Sequence, residues 1–253
     1  MGSAFQLADV GAAQLALIAA VALAGSILGG LAGYGTGLVV PIFLAPMVGV
    51  ANVVPVMAVG MIFANGSRVA AFWRDIHGPH ARRLLVLGLP ACVLGAYGYT
   101  LLEARWVALL LGGFFIASVP LRRMLARAGW RLEARGVTVA GAGFGFVNGG
   151  VTGAGLLLIS TLMAAGLQGA ALIGTDAIVS VIMGFAKVAL FGGVARLDAQ
   201  LAAAGLLIGL CTAPGAFVAR WLLARIPLKV HTAFMDAVVL AGGASFLWRA
   251  GFA

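Results

Sequence analysis

Charge is what this sequence has least of. Only 9 % of its 253 residues are Asp, Glu, Lys or Arg, against roughly 25 % in soluble domains. None of the four occurs between Asp9 and Arg68, and Asp176 alone interrupts the run from Arg135 to Lys187. With 63 % of the chain hydrophobic, a water-soluble domain has too little interior to hide such stretches. Cysteine is nearly absent as well. Cys92 and Cys211 both lie in apolar sequence, so there is no disulfide framework and no indication of redox compartment. The N-terminus has no basic region and places Asp9 ahead of its first apolar run, so no cleavable signal peptide is expected. Catalytic patterns are missing too. There is no Gly-x-Ser-x-Gly elbow. His77 and His80, in His-Gly-Pro-His, have no third ligand nearby, which favours a solvated loop over a metal centre. The chain reads as a non-enzyme with no catalytic residue, no metal and no cofactor.

What is present is apolar length. A spanning helix needs about 20 such residues, and Gly, Pro and charge divide the chain into ten segments: 11–32, 37–50, 53–72, 84–101, 106–121, 137–149, 154–168, 171–192, 199–219 and 230–248. The fold class is therefore all-α, a polytopic membrane protein whose partner is the lipid bilayer. Segments two, six and seven are too short to cross comfortably at about 1.5 Å rise per residue. The net charge of +9 points to topology rather than nucleic acid, because the cations gather in short loops.

The second five segments repeat the first five. Val69-Ala70-Ala71-Phe72 matches Val188-Ala189-Leu190-Phe191 at an offset of 119, which also sets Arg68 on Lys187 and Cys92 on Cys211. The expected organisation is a first membrane repeat over 1–125, a basic cytoplasmic linker over 126–135 and a second repeat over 136–253. Eleven cations fall in three loops: Arg74, Arg82 and Arg83; Arg122, Arg123, Arg127, Arg131 and Arg135; Arg220, Arg225 and Lys229. All three loops are cytoplasmic if the first two segments of each repeat enter and leave together as a short, re-entrant pair. The repeats are then inverted, the common plan of secondary transporters, with the site where the halves meet.

Each repeat carries a glycine-studded break, Gly29-Gly30-Leu31-Ala32-Gly33-Tyr34-Gly35-Thr36-Gly37-Leu38 and Asn148-Gly149-Gly150-Val151-Thr152-Gly153-Ala154-Gly155-Leu156. Single glycines in such helices serve close packing equally well. Clusters this dense, with Pro41 and Pro46 behind the first, interrupt the helix where unpaired backbone survives only against protein or a wet cavity. Freed N–H groups at half-helix N-termini attract anions. The candidate binding residues are therefore Gly33, Gly35, Thr36, Gly37, Asn148, Gly150, Thr152, Gly153 and Gly155, with Arg68 and Lys187 as compensating cations. A charge at membrane depth usually faces a cavity and a function; for Arg68, snorkelling toward Arg74 is the competing reading. Asp176 and Asp236 are candidates for proton or ion coupling or for pairing with a cation. Asp176 also suits a cap at the head of segment eight.

These motifs resemble the TauE/SafE family, the sulfite exporter or 4-toluene sulfonate uptake permeases. The resemblance rests on the first break through Val39-Val40-Pro41, its echo at 145–158, Gly174-Thr175, and Val188-Ala189-Leu190-Phe191-Gly192. It implies a multi-pass carrier of the bacterial inner membrane for sulfur-containing anions such as sulfite, thiosulfate or sulfoacetate. The expected function is alternating-access transport of that small anion, with proton coupling open. An anion channel, a carboxylate carrier and a homodimeric assembly are also compatible. One departure stands out: Ile159 occupies the place of Pro41 in the second break.

Overall fold

The computed structural model describes residues 5–6, 10–32, 35–127, 129, 131–223 and 229–252. Gly33, in the first break, lies outside the described residues. Among the described residues ten α-helices follow one another: α1 (Ala12–Ala32), α2 (Thr36–Val48), α3 (Val53–Phe72), α4 (Gly78–Thr100), α5 (Ala104–Arg127), α6 (Ala134–Gly150), α7 (Gly155–Ala164), α8 (Gly169–Gly193), α9 (Ala199–Leu223) and α10 (Lys229–Phe252). Among the described residues there is no strand. Five helices among the described residues are long and apolar enough to cross a membrane, namely α3, α4, α5, α8 and α9. The chain is a polytopic all-α membrane protein. Of the three segments expected to be short, the second and seventh are so, while the sixth extends to the 17 residues of α6. At about 1.5 Å per residue, the 13 residues of α2 and the 10 of α7 fall well below a ~30 Å hydrocarbon core.

Local chemistry explains the ends. α4 starts at Gly78, six residues ahead of its apolar run, because Pro79 occupies its first turn and the His77 ring accepts the His80 N–H. Asp198 Oδ1 takes the Leu201 N–H at 2.8 Å and so starts α9. α2 stops at Gly49, whose φ of +81° suits glycine.

Packing follows a rule of exchange. α4 lies along α6, and α1 along α9; α3 touches α9, and α8 touches α4; α3 meets α8, and α5 meets α10. Substituting α1–α5 for α6–α10 turns each of these pairs into another observed pair or into itself. The α4–α6 seam is built from small residues. A side chain on Gly145 would occupy the place of the Gly88 carbonyl, and one on Gly141 would come within 2.6 Å of the Leu84 carbonyl. Backbones approach this closely only where side chains are missing. On the outer pair, Phe115 of α5 and Phe246 of α10 meet edge-on at 5.6 Å, both fully buried.

Candidate functional site

The two breaks meet. α1 ends at Ala32 and α2 restarts at Thr36; α6 ends at Gly150 and α7 restarts at Gly155. A Cβ on Gly37 would lie 2.7 Å from the Gly153 nitrogen, so the two segments are in backbone contact. Pro41 explains the bond that joins them. Having no N–H, it leaves the carbonyl four residues back, that of Gly37, without its helical donor. The Thr152 hydroxyl supplies one at 2.7 Å from the other half of the chain. Ile159 keeps its N–H, so the second break frees no equivalent carbonyl.

Behind this junction is a hollow of about 40 Å³. By that measure it has room for about three waters. Its floor is Gly35, Thr36 and Gly37 from one break and Asn148, Thr152, Gly153, Ala154 and Gly155 from the other. Its walls are one face each of α3 and α8: Met57, Met61, Asn65 and Arg68 on one side, Ser180, Gly184 and Lys187 on the other. The N-termini of α2 and α7 therefore both open into it. In α2 the N–H groups of Leu38 and Val39 close on the Gly35 carbonyl, which leaves those of Thr36 and Gly37 with no intrahelical acceptor. In α7 the Leu157 N–H closes on Ala154, leaving Gly155 and Leu156 in the same condition.

The side-chain donors are distributed differently from the backbone ones. Thr36 gives its hydroxyl hydrogen to the Gly25 carbonyl at 3.0 Å, and Thr152 gives its own to Gly37. Both hydroxyls thus stitch the breaks into place. Among the described residues the Asn148 amide nitrogen has sulfur partners alone, Met183 Sδ at 3.6 Å and Cys92 Sγ at 3.8 Å, both weak acceptors. It retains capacity to donate.

The two cations are buried, at 6 % exposure for Arg68 and 7 % for Lys187, and both line the hollow. Their surroundings differ. Arg68 Nη1 binds Asp176 Oδ2 at 2.9 Å across the halves, and Nη2 binds the Asn65 side-chain oxygen. This inward pairing is incompatible with snorkelling. It also assigns Asp176 as a partner: α8 begins at Gly169, about two turns before it, so Asp176 is no helix cap. Its second oxygen, Oδ1, is buried with no hydrogen-bond partner among the described residues. Lys187 Nζ donates to the Asn148 carbonyl at 3.0 Å, near the end of α6. Among the described residues no carboxylate pairs with it.

Of the sequence-derived residues, Gly35, Thr36, Gly37, Arg68, Asn148, Thr152, Gly153, Gly155 and Lys187 converge on one hollow. Gly150 does not line it; a side chain there would face the Gly95 carbonyl at 3.6 Å. Asp236 falls within α10, and its side chain lies outside the described residues. Met57, Met61, Asn65, Ser180 and Gly184 were not anticipated. Counting back in helical steps from Arg68 and Lys187 would have found them. His77 and His80 bring their Nδ1 atoms to 2.6 Å, and no cluster able to hold a metal exists among the described residues.

Residues 17–246 match the family described as Sulfite exporter TauE/SafE, nearly the whole length. The chain belongs to the TauE/SafE family. That family consists of membrane transporters of sulfur-containing anions such as sulfite, and this member is accordingly a multi-pass membrane protein. No curated protein and no solved structure matches the chain.

Proposed function

We propose that this TauE/SafE protein is a secondary transporter that carries a small sulfur oxyanion across the bacterial inner membrane by alternating access. The observation that carries the reading is Lys187. It is a buried cation facing a hollow, with no carboxylate beside it among the described residues. An uncompensated buried charge is costly, and an anion in the hollow removes that cost. The orphan N–H groups of α2 and α7 add donors from both halves, as helix N-termini do for anions elsewhere. The hollow's size favours a compact ion such as sulfite over a sulfonate with an organic tail, which requires the walls to part. Matched helix pairs under exchange of the halves support two inverted repeats, 1–125 and 136–253, rocking about the site. The unpartnered Oδ1 of Asp176 supports proton coupling, because this buried oxygen is a place where a proton can be taken up while Oδ2 stays on Arg68.

The test is sulfite counterflow in proteoliposomes. Wild-type protein is expected to show saturable exchange, and Lys187→Gln to lose it by about tenfold to hundredfold, the range for one charge-assisted hydrogen bond. Unchanged flux in a folded Lys187→Gln variant removes the site. Single-channel currents in place of counterflow make the protein a channel.

A further inference from the structure

We infer that Met57 sets the charge of this cavity and thereby the class of solute it admits; the inference rests on the function proposed above and specifies how the site discriminates. Positions 57, 61, 65 and 68 on α3 and 176, 180, 184 and 187 on α8 share one spacing, and the offset between the two sets is 119 throughout. Such spacing places each set on a single helix face. At one end of the α8 set, Asp176 reaches Arg68 in the opposite half at 2.9 Å. Its counterpart on α3 is Met57, fully buried and lining the same hollow as Lys187. A thioether carries no charge and accepts hydrogen bonds only weakly.

The exchange that gives Arg68 a carboxylate therefore gives Lys187 none. A second position departs in the same direction. Asn65, which binds the other nitrogen of Arg68, corresponds to Gly184, which offers no side chain. Neither of these two partners of the first cation has an equivalent side chain around the second. A carboxylate at position 57 would close a second neutral pair and leave the hollow without net charge. With methionine there, one unit of positive charge stays available, so the cavity takes a net anion and rejects zwitterions and neutral solutes.

The experiment compares Met57→Asp with Met57→Asn, substitutions of nearly one shape that differ by a charge. Sulfite flux in proteoliposomes and thermal unfolding in detergent are measured for each. Met57→Asn is expected to lower flux by a few-fold. Met57→Asp should lower it by about tenfold to hundredfold, as the loss of one charge-assisted contact, while remaining folded because Lys187 pairs with the new carboxylate. Adding Lys187→Gln to Met57→Asp should then lower the unfolding temperature below that of either single variant. Equal flux in the two Met57 variants overturns the inference. So does a Met57→Asp protein that cannot fold where Met57→Asn can, since the carboxylate has then found no cation. If Lys187→Gln abolishes flux but Met57→Asp does not, only this inference falls. If Lys187→Gln leaves flux intact, the proposed function falls first.

Discussion

The walls of the cavity, α3 and α8, occupy equivalent places in the two halves, yet they treat their cations differently. Arg68 is held by Asp176 and Asn65; Lys187 is held by a backbone carbonyl alone among its described contacts. A shared helical spacing supplies the geometry, and divergence within it supplies the charge. On the function proposed above, the first cation is structural and the second serves the solute. The floor shows a parallel asymmetry. Pro41 frees a carbonyl that the second break, with Ile159, does not.

The comparison is broken most forcefully at Arg68. Arg68→Leu strands Asp176 as a buried charge and should cost about 3–5 kcal/mol, read as a large fall in unfolding temperature in detergent. The double variant Arg68→Leu/Asp176→Leu should recover most of that loss, because replacing both members of a buried pair is often neutral. If Arg68→Leu is as stable as Lys187→Gln, the division of labour fails.

Next in size is the glycine junction. Gly37→Ala pushes a methyl to within 2.7 Å of the Gly153 nitrogen and should cost about 1–3 kcal/mol, as overpacking does, with loss of flux. Gly150→Ala, whose nearest neighbour is 3.6 Å away, should leave stability and flux as they are. Similar behaviour of the two variants means the breaks do not meet as described.

The smallest effect tests the floor. Thr152→Val removes the bond to Gly37 and should cost about 1 kcal/mol. Pro41→Ala restores an N–H that competes for the same carbonyl, so the two changes should be non-additive in a double-mutant cycle. Additive losses separate the proline from the threonine.

Much of the fold was legible because charge and glycine mark helix ends in apolar sequence. α3 runs over the residues expected of it, and the short helices α2 and α7 fall at segments two and seven. Boundaries slipped where the signal was mixed. Arg82 and Arg83 conceal the start of α4, since a basic second turn does not look apolar even when Pro79 has begun the helix. In the site, Arg68 and Lys187 stood out as lone charges. The Arg68–Asp176 pair did not, because 108 residues separate its members and only the folded chain decides which acid meets which base. Met57 and Gly184 were invisible for another reason. Each resembles ordinary helix packing until its counterpart, Asp176 or Asn65, shows what has been omitted. Thr36 and Thr152 were expected to offer their hydroxyls to an anion; each instead donates to a carbonyl within reach, those of Gly25 and Gly37, and only the folded chain decides which carbonyl that is.

The seam between α4 and α6 bears on how such a protein must move. Because backbone rests on backbone there, no side chain can change rotamer to let one helix slide over the other. The two belong to opposite halves, so the halves are pinned together along that line as if by a shared axle. Under the alternating access proposed above, the swing has to pivot around such seams, this one and its mate between α1 and α9, and draw its travel from helices elsewhere.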